Sequence, residues 1–262
     1  MPLEEKYRNL IRFAIPQAEK EETLLKLSAL YDCVVSTNER INITSLVSPI
    51  DVTLKHLIDS LTLLQAPVFG NFSPRKRICD IGCGGGFPGL PLATVLSDHE
   101  ITMIDSTEKK ITALKENAAL LGLERVVPLW GRGEELAGAR GAHRGRYDLC
   151  VSRAVARLPV LTELCLPFVK TGGRFVAMKG QKAYEELKES RRAIEKSGGA
   201  LAEVIEVKTD FHDFPLEAFS EEEKEKIRDY ALSARYLIVI VKKKETPAQL
   251  PRKWAEITKK PL

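Results

Sequence analysis

The chain has 262 residues, 44% apolar and 29% charged, with a net charge of +4. That composition is globular, and the length suits one large unit with an appendage better than two equal domains. No run of about 20 apolar residues occurs, so no transmembrane helix is expected. The polar start MPLEEKYRNL lacks the apolar core of a signal peptide, so the chain is expected to be cytoplasmic.

The first 70 residues carry little strand signal. Leu24, Leu25, Leu27, Leu30 and Val34 fall near helical spacing, as do Leu54, Leu57, Ile58, Leu61 and Leu64. The polar stretch from Glu39 to Pro49 reads as the loop between them, which predicts a helical cap over 1–70. From Arg77 short apolar runs alternate with helical stretches. Ile78 to Ile81 reads as a strand ending in glycines, Pro88 to Leu96 as a helix, and Ile101 to Ile104 as a strand ending in Asp105. The next helix places Ile111, Leu114, Ala118 and Leu121 on one face, with Gly122 as its C-terminal stop. Val126 to Trp130 and Tyr147 to Val151 read as strands, and Leu158 to Val169 as a helix. Gly172-Gly173 reads as a turn into the strand Arg174 to Met178. A helix over Ala183 to Lys196 leads to strands near Leu201 to Val207 and at Tyr236 to Val241.

This alternation implies right-handed crossovers and a mostly parallel sheet covered on both faces. The expected fold class is α/β and Rossmann-like, seven-stranded, over 71–245, with the helical N-terminal extension before it and a basic tail over 246–262. The tail, with its Lys, Arg and Pro, is expected to be extended. Ligands of such sheets bind outside the carboxyl ends of the strands.

The first of those ends carries Asp80-Ile81-Gly82-Cys83-Gly84-Gly85-Gly86-Phe87-Pro88-Gly89. Glycine permits tight turns and lets a ligand approach the main chain. Gly84 to Gly89 fits the dinucleotide pattern G-x-G-x-x-G, with Asp105 downstream to hold a ribose. Asp80, Gly82, Gly84 and Gly86 equally fit the methyltransferase pattern acid-x-G-x-G-x-G, with Asp105 on the adenosine ribose. A carboxylate at Asp80 suits the cationic ammonium and sulfonium of S-adenosylmethionine and would repel a pyrophosphate. The loop therefore favours a class I methyltransferase. A ligand-free glycine turn is the structural alternative.

Gly131-Arg132-Gly133-Glu134 follows the third strand, where backbone amides and an acid can read an adenine. It equally suits a plain helix start. Arg153, after the fourth strand, faces donor and acceptor and could also be a surface arginine. Lys179 lies beside the acceptor position. His56 sits on an amphipathic helix, where a lone histidine is more often structural than chemical. The mildly basic charge permits a nucleic-acid partner without requiring one, and the tail cations could neutralise phosphate. The five cysteines are odd in number and lie mostly in apolar runs, which predicts buried reduced thiols. Cys79 and Cys83 lack matching ligands, so no metal site is expected.

Together these residues resemble the RsmG (GidB) family of 16S ribosomal RNA methyltransferases. The carriers are Arg40 to Ser45, His56 to Leu61, Asp80 to Pro91, Asp105-Ser106 with Lys109-Lys110, Gly131 to Glu134, Ser152 to Ala156 and Met178 to Gly180. The likeness covers about residues 20 to 245. The Gly-Phe-Pro-Gly-Leu-Pro and Ser-Arg-Ala strings are specific to it; the glycines alone are not. The resemblance implies N7 methylation of one guanine in the 530 loop of 16S rRNA, nucleotide 527 in the usual count. It implies that Gly82, Phe87, Gly133, Glu134 and Arg153 line the S-adenosylmethionine site, to which the residue chemistry adds Asp105. Asn42, His56, Arg157 and Lys179 are the substrate-side candidates. The partner implied is the small ribosomal subunit, met by a monomer. Two departures stand out. Cys83 and Gly133 replace other small residues, and Trp254-Ala255-Glu256-Ile257-Thr258 replaces a Gly-Thr-Pro type segment in the tail.

Guanine N7 has a free lone pair and no proton, so no general base is required and no catalytic residue is assigned. Three rivals remain: a methyltransferase of small molecules or proteins, a nicotinamide dehydrogenase, and a non-catalytic rRNA-binding assembly factor.

Overall fold

The computed structural model describes residues 2–70 and 75–262. The predicted boundary between cap and sheet domain abuts residues 71–74, outside the described residues. The cap opens with α1 (Glu5–Ala14), which buries Tyr7, Leu10 and Ile11. Next comes α2 (Glu21–Ile41), burying Leu24, Leu27, Leu30 and Val34, while Leu25 faces solvent. A near-continuous helical rod follows: α3 (Pro49–Val52), a π-helical stretch (Thr53–Ile58) and α4 (Asp59–Leu61). Ser48 starts it by accepting the Asp51 N–H. Leu54, Leu57, Ile58 and Leu61 are fully buried. A short α5 (Pro67–Gly70) closes the cap.

The sheet strands are β1 (Arg77–Ile81), β2 (Glu100–Asp105), β3 (Val126–Trp130), β4 (Tyr147–Arg153), β5 (Val169–Lys179), β6 (Gly199–Glu206) and β7 (Tyr236–Lys242). Among the described residues they form one sheet in the order β3-β2-β1-β4-β5-β7-β6. The first five are parallel, and β7 runs antiparallel to both β5 and β6. This is the expected Rossmann-like α/β fold. The strand order reverses between β1 and β4, opening a crevice at their carboxyl ends.

Alternate side chains supply two cores, as the two-residue period of a strand requires. Ile78, Ile101, Met103, Leu149, Val151 and Val176 face the cap, sharing one apolar cluster with α1 and α2. Cys79, Ile81, Ile104, Cys150 and Phe175 face the other side, against α9 (Leu158–Cys165). The crossovers α6 (Gly89–Val95) and α7 (Glu108–Leu120) lie on the cap side. α8 (Gly133–Leu136) and α10 (Ala183–Lys196) lie with α9. Gly122 ends α7 at φ +62°. All five cysteines are buried and unbridged. Among the described residues no helix is long and apolar enough to cross a membrane.

Three sequence expectations change. β5 begins at Val169 and runs through Gly172-Gly173, where a turn was expected, with a register irregularity against β4. Between β6 and β7, where no apolar periodicity points to a helix, stands α11 (Glu221–Leu232), started by a Ser220/Glu223 capping box. It packs on the cap through Tyr7–Glu223 and Lys226–Asp51. The tail is folded onto the domain. It ends in α12 (Trp254–Lys259), and Arg252 grips Glu163 through its main-chain N–H at 3.0 Å, Nε at 2.8 Å and Nη2 at 2.6 Å. Glu163 has no exposed surface.

Removing one partner of such a pair strands a buried charge. Arg252→Ala should therefore cost about 3 kcal/mol in urea unfolding, and replacing both Glu163 and Arg252 by Leu should restore most of that loss. A single-variant cost below about 1 kcal/mol would show that the pair does not anchor the tail.

Candidate active-site cleft

A cleft of about 470 Å³ lies outside the carboxyl ends of β1, β2, β3 and β4, within the ~300–1,000 Å³ usual for small-ligand sites. Its floor is the loop after β1. The Gly82 and Cys83 N–H groups donate to the Ile104 carbonyl at 2.8 and 3.1 Å, and Ser152 Oγ donates to the Ile81 carbonyl at 2.9 Å. The loop is thereby tied to both neighbouring strands. Gly82 has φ +72°, and a Cβ there would meet Val155 at 2.3 Å. At Gly86, φ is +103° and a Cβ would meet Leu90 at 2.6 Å. Both positions exclude side chains.

Asp105 ends β2 and lines the cleft. Its Oδ2 accepts the Gly84 N–H at 2.9 Å and its Oδ1 the Thr107 N–H at 2.8 Å. A carboxylate accepts about four hydrogen bonds, so it retains capacity for a ligand hydroxyl. The β3 side is formed by Gly131, Arg132, Gly133 and Glu134. Gly133 packs close on Leu164, where a Cβ would sit 3.0 Å from Cδ1.

The β4 side is formed by Arg153, Ala154 and Val155. Ala154 takes the left-handed conformation, φ +56°, at a cost of roughly 1–2 kcal/mol. That bend lets Val155 pack over Gly82 while Arg153 reaches the cap. The Arg153 Nη1 donates to Asp59 at 2.7 Å and to the Lys55 carbonyl at 2.8 Å. Its guanidinium lies 5.6 Å from the Phe87 ring centre, and Phe87 stacks on His56 with centroids 4.6 Å apart. His56 Nε2 is 3.0 Å from Thr44 Oγ1. Burial, with the Arg153 charge second, pushes the His56 pKa down to about 4, so the ring is neutral at physiological pH.

The structure thus brings together Gly82, Phe87, Asp105, Gly133, Glu134, Arg153 and His56, and leaves three expected residues outside this cleft. Asn42 is exposed at φ +44°, where it ends α2, and its neighbours Ile43 and Thr44 enter the cleft instead. Arg157 is exposed and paired with Glu189. Lys179 lines an adjoining cavity, donating to the Ala156 carbonyl at 2.7 Å and pairing with Glu186 at 2.8 Å. Asp80 also departs from expectation. It is fully buried below the loop, accepts the Gly89 N–H at 2.9 Å, and leaves Oδ1 without a partner. Burial raises its pKa to about 7. It braces the loop from beneath and does not line the cleft.

The adjoining cavity, about 500 Å³, shares His56, Arg153 and Ala154 with the cleft and adds Lys55, Asp59, Lys179, Glu186 and Arg235. Arg235 stacks on Tyr230 at 3.7 Å, with Nε and Nη1 buried and unpartnered. Asp59, Arg235 and Trp254 carry no site role in the expectations from sequence. Asp59 sits inside the cap helix string, three residues after His56, and Trp254 opens the tail segment that departs from the family pattern, whereas Arg235 gives no local signal. Among the described residues no group of three or more His, Cys, Asp or Glu is placed to hold a metal ion.

Residues 23–213 match a family described as GidB, rRNA small subunit methyltransferase G. The ribosomal RNA small subunit methyltransferase G of Deinococcus radiodurans is 42% identical over 94% of this chain and 87% of its own. That of Ligilactobacillus salivarius is 39% identical over 92% of each chain. Among solved structures, geranyl diphosphate methyltransferase in complex with SAM is similar at a TM-score of 0.50 and 14% identity, covering 74% of this chain and 89% of that one. That likeness is one of fold.

The neutral His56 has a pH consequence. Its folded pKa, about 4, lies below the ordinary 6.5, so the unfolded chain binds the extra proton first. Stability is intact above about pH 6.5 and falls as pH drops toward 4. His56→Gln should lose about 2 kcal/mol less than wild type between pH 7 and pH 5, read by urea unfolding at each pH. Parallel losses would show that His56 is not held neutral.

Proposed function

The chain belongs to the GidB family of rRNA small subunit methyltransferases, and we propose that it moves the methyl group of S-adenosylmethionine to N7 of guanine 527 in the 530 loop of 16S rRNA. One observation carries this reading. A glycine-floored cleft bounded by Asp105 and Glu134 meets a second, cation-lined cavity across Arg153 and His56. Donor and acceptor would occupy the two sides of that wall.

The residues fit the cofactor by their chemistry. Asp105 has lone pairs left for the ribose hydroxyls. Glu134 and the amides of the β3 loop suit an adenine edge. The glycine-rich floor at Gly82 to Gly86 suits the methionine portion. When bound, S-adenosylmethionine supplies an electrophilic sulfonium methyl.

The chain's own task is to position the acceptor and keep water out. Guanine N7 attacks through its lone pair, so no residue need remove a proton, and neutral His56 is not asked to. Holding reactants in line contributes up to ~7–11 kcal/mol. The methylated base carries positive charge, which bare cations would oppose. Here Arg153 is matched by Asp59 and Lys179 by Glu186, which offsets that repulsion. Arg235 also lines this cavity, with Nη2 bonded to Thr209, and adds a positive charge that suits a backbone phosphate. An irregular RNA region, whose bases can be splayed out, is the natural acceptor. The work would be done by a cytoplasmic monomer on the small subunit or its rRNA.

Labelled methyl transfer to small subunits lacking the modification, with naked 16S rRNA alongside, tests the reading. N7-methylguanine in the 530 loop is expected, and no label on any form of the RNA would overturn it. Asp105→Asn should weaken S-adenosylmethionine binding about tenfold in calorimetry, the loss of one charge-assisted hydrogen bond. Unchanged affinity would remove Asp105 from the ribose.

A further inference from the structure

We propose that the C-terminal segment 246–259 is part of the cofactor site, with Trp254 as the aromatic wall on which the adenine base lies. This inference rests on the S-adenosylmethionine reading of the cleft.

β7 is antiparallel to β5, pairing Val241 with Arg174, so its end points away from the cleft. The segment after it returns past Ser197, at the end of α10, and Glu163 of α9 to bring Trp254 into the cleft lining. Three anchors hold the return. Lys242 Nζ is buried and donates to the Leu166 carbonyl at 2.7 Å and the Ser197 carbonyl at 3.0 Å, and also bonds Thr246. Arg144 donates to the Leu250 carbonyl at 2.8 Å, the Pro247 carbonyl at 3.0 Å and the Thr246 carbonyl. Arg252 holds the fully buried Glu163, one residue from the cleft-lining Leu164. Beyond them Ile257 is completely buried. A terminus fixed by a desolvated carboxylate and two multiply bonded cations is positioned, since ordering it costs conformational entropy.

Trp254 itself is half-buried, packed against the α9 side of the core, with part of its surface in the cleft. It stands with Arg132 and Glu134, which also join it in lining a shallow groove between α8 and the tail. In this sheet order a ribose on Asp105, at the end of β2, directs its base outward to the β3 loop. Trp254 faces that same end. A purine stacking on an indole gains an aromatic face that no other residue lining that end of the cleft supplies.

The test is calorimetric titration of S-adenosylhomocysteine and of adenosine into the full chain and its Trp254→Phe, Trp254→Leu and Trp254→Ala variants, with thermal melts alongside. Trp254→Leu keeps apolar bulk and fold but has no ring face. Leu and Ala should weaken both ligands by about the same factor, roughly tenfold, while Phe stays within about threefold of wild type. Folded Leu and Ala variants that bind both ligands like wild type overturn the assignment and leave the cofactor reading intact. Unchanged ligand binding with a raised KM for rRNA also overturns it, making Trp254 an RNA contact. A wild-type chain that binds no S-adenosylhomocysteine overturns the cofactor reading and this inference together.

Discussion

The chain leaving β1 must turn between β2 and β4 with no room for a side chain at Gly82 or Gly86, and the rest of the cleft follows from that. Gly82 and Cys83 hang from the Ile104 carbonyl, Ser152 holds the Ile81 carbonyl, and Val155 presses on Gly82 where a Cβ would stand. Parallel strands put their carboxyl ends on one edge, and the order reversal between β1 and β4 leaves the gap. Once that floor is fixed, the positions of Asp105, Glu134 and Arg153 are set by the strands that carry them. Asp80 secures the floor from below, at the expense of a carboxyl oxygen left without a partner.

The cap completes the site from the other side. It shares one apolar core with the cap-facing side of the sheet, so its helices are fixed relative to the strands. Asp59 can then meet Arg153, and His56 can stack on Phe87. The strained Ala154 between them aims two neighbouring side chains at opposite elements. Strain of this kind persists when surrounding packing over-determines it, which the cap and the loop together do.

The sheet was legible because each central strand is a short apolar run bounded by glycine or acid, as at Ile78 to Ile81 and Ile101 to Asp105. α11 was legible in principle: Ser220 and Glu223 make a capping box, but the acidic, sparsely apolar stretch behind it hides the buried Ile227 and Tyr230. The tail was not legible. Its anchors lie 89 positions away at Glu163 and about 102–106 at Arg144, and no local pattern encodes a partner at that distance. The cofactor-side candidates fall together because each follows a parallel strand, whose direction the pattern gives. The substrate-side candidates divide: His56 and Lys179 line the adjoining cavity, whereas Glu189 takes Arg157 and Asn42 serves to end α2. The buried Asp80 shows the same limit, since a motif gives a residue's place in the chain but not the depth of its side chain.

The two cavities have His56, Arg153 and Ala154 in common, and this makes the wall a point of thermodynamic exchange. A ligand that shifts the Arg153 guanidinium, or loosens its hold on Asp59, alters the surface offered to whatever sits on the other side. Linkage requires the influence to be mutual: the factor by which one occupant changes the other's affinity is the same in both directions. A residue belonging to both chambers therefore cannot be tuned for one guest alone, and every substitution at Arg153 is a change in two binding constants and in the coupling between them.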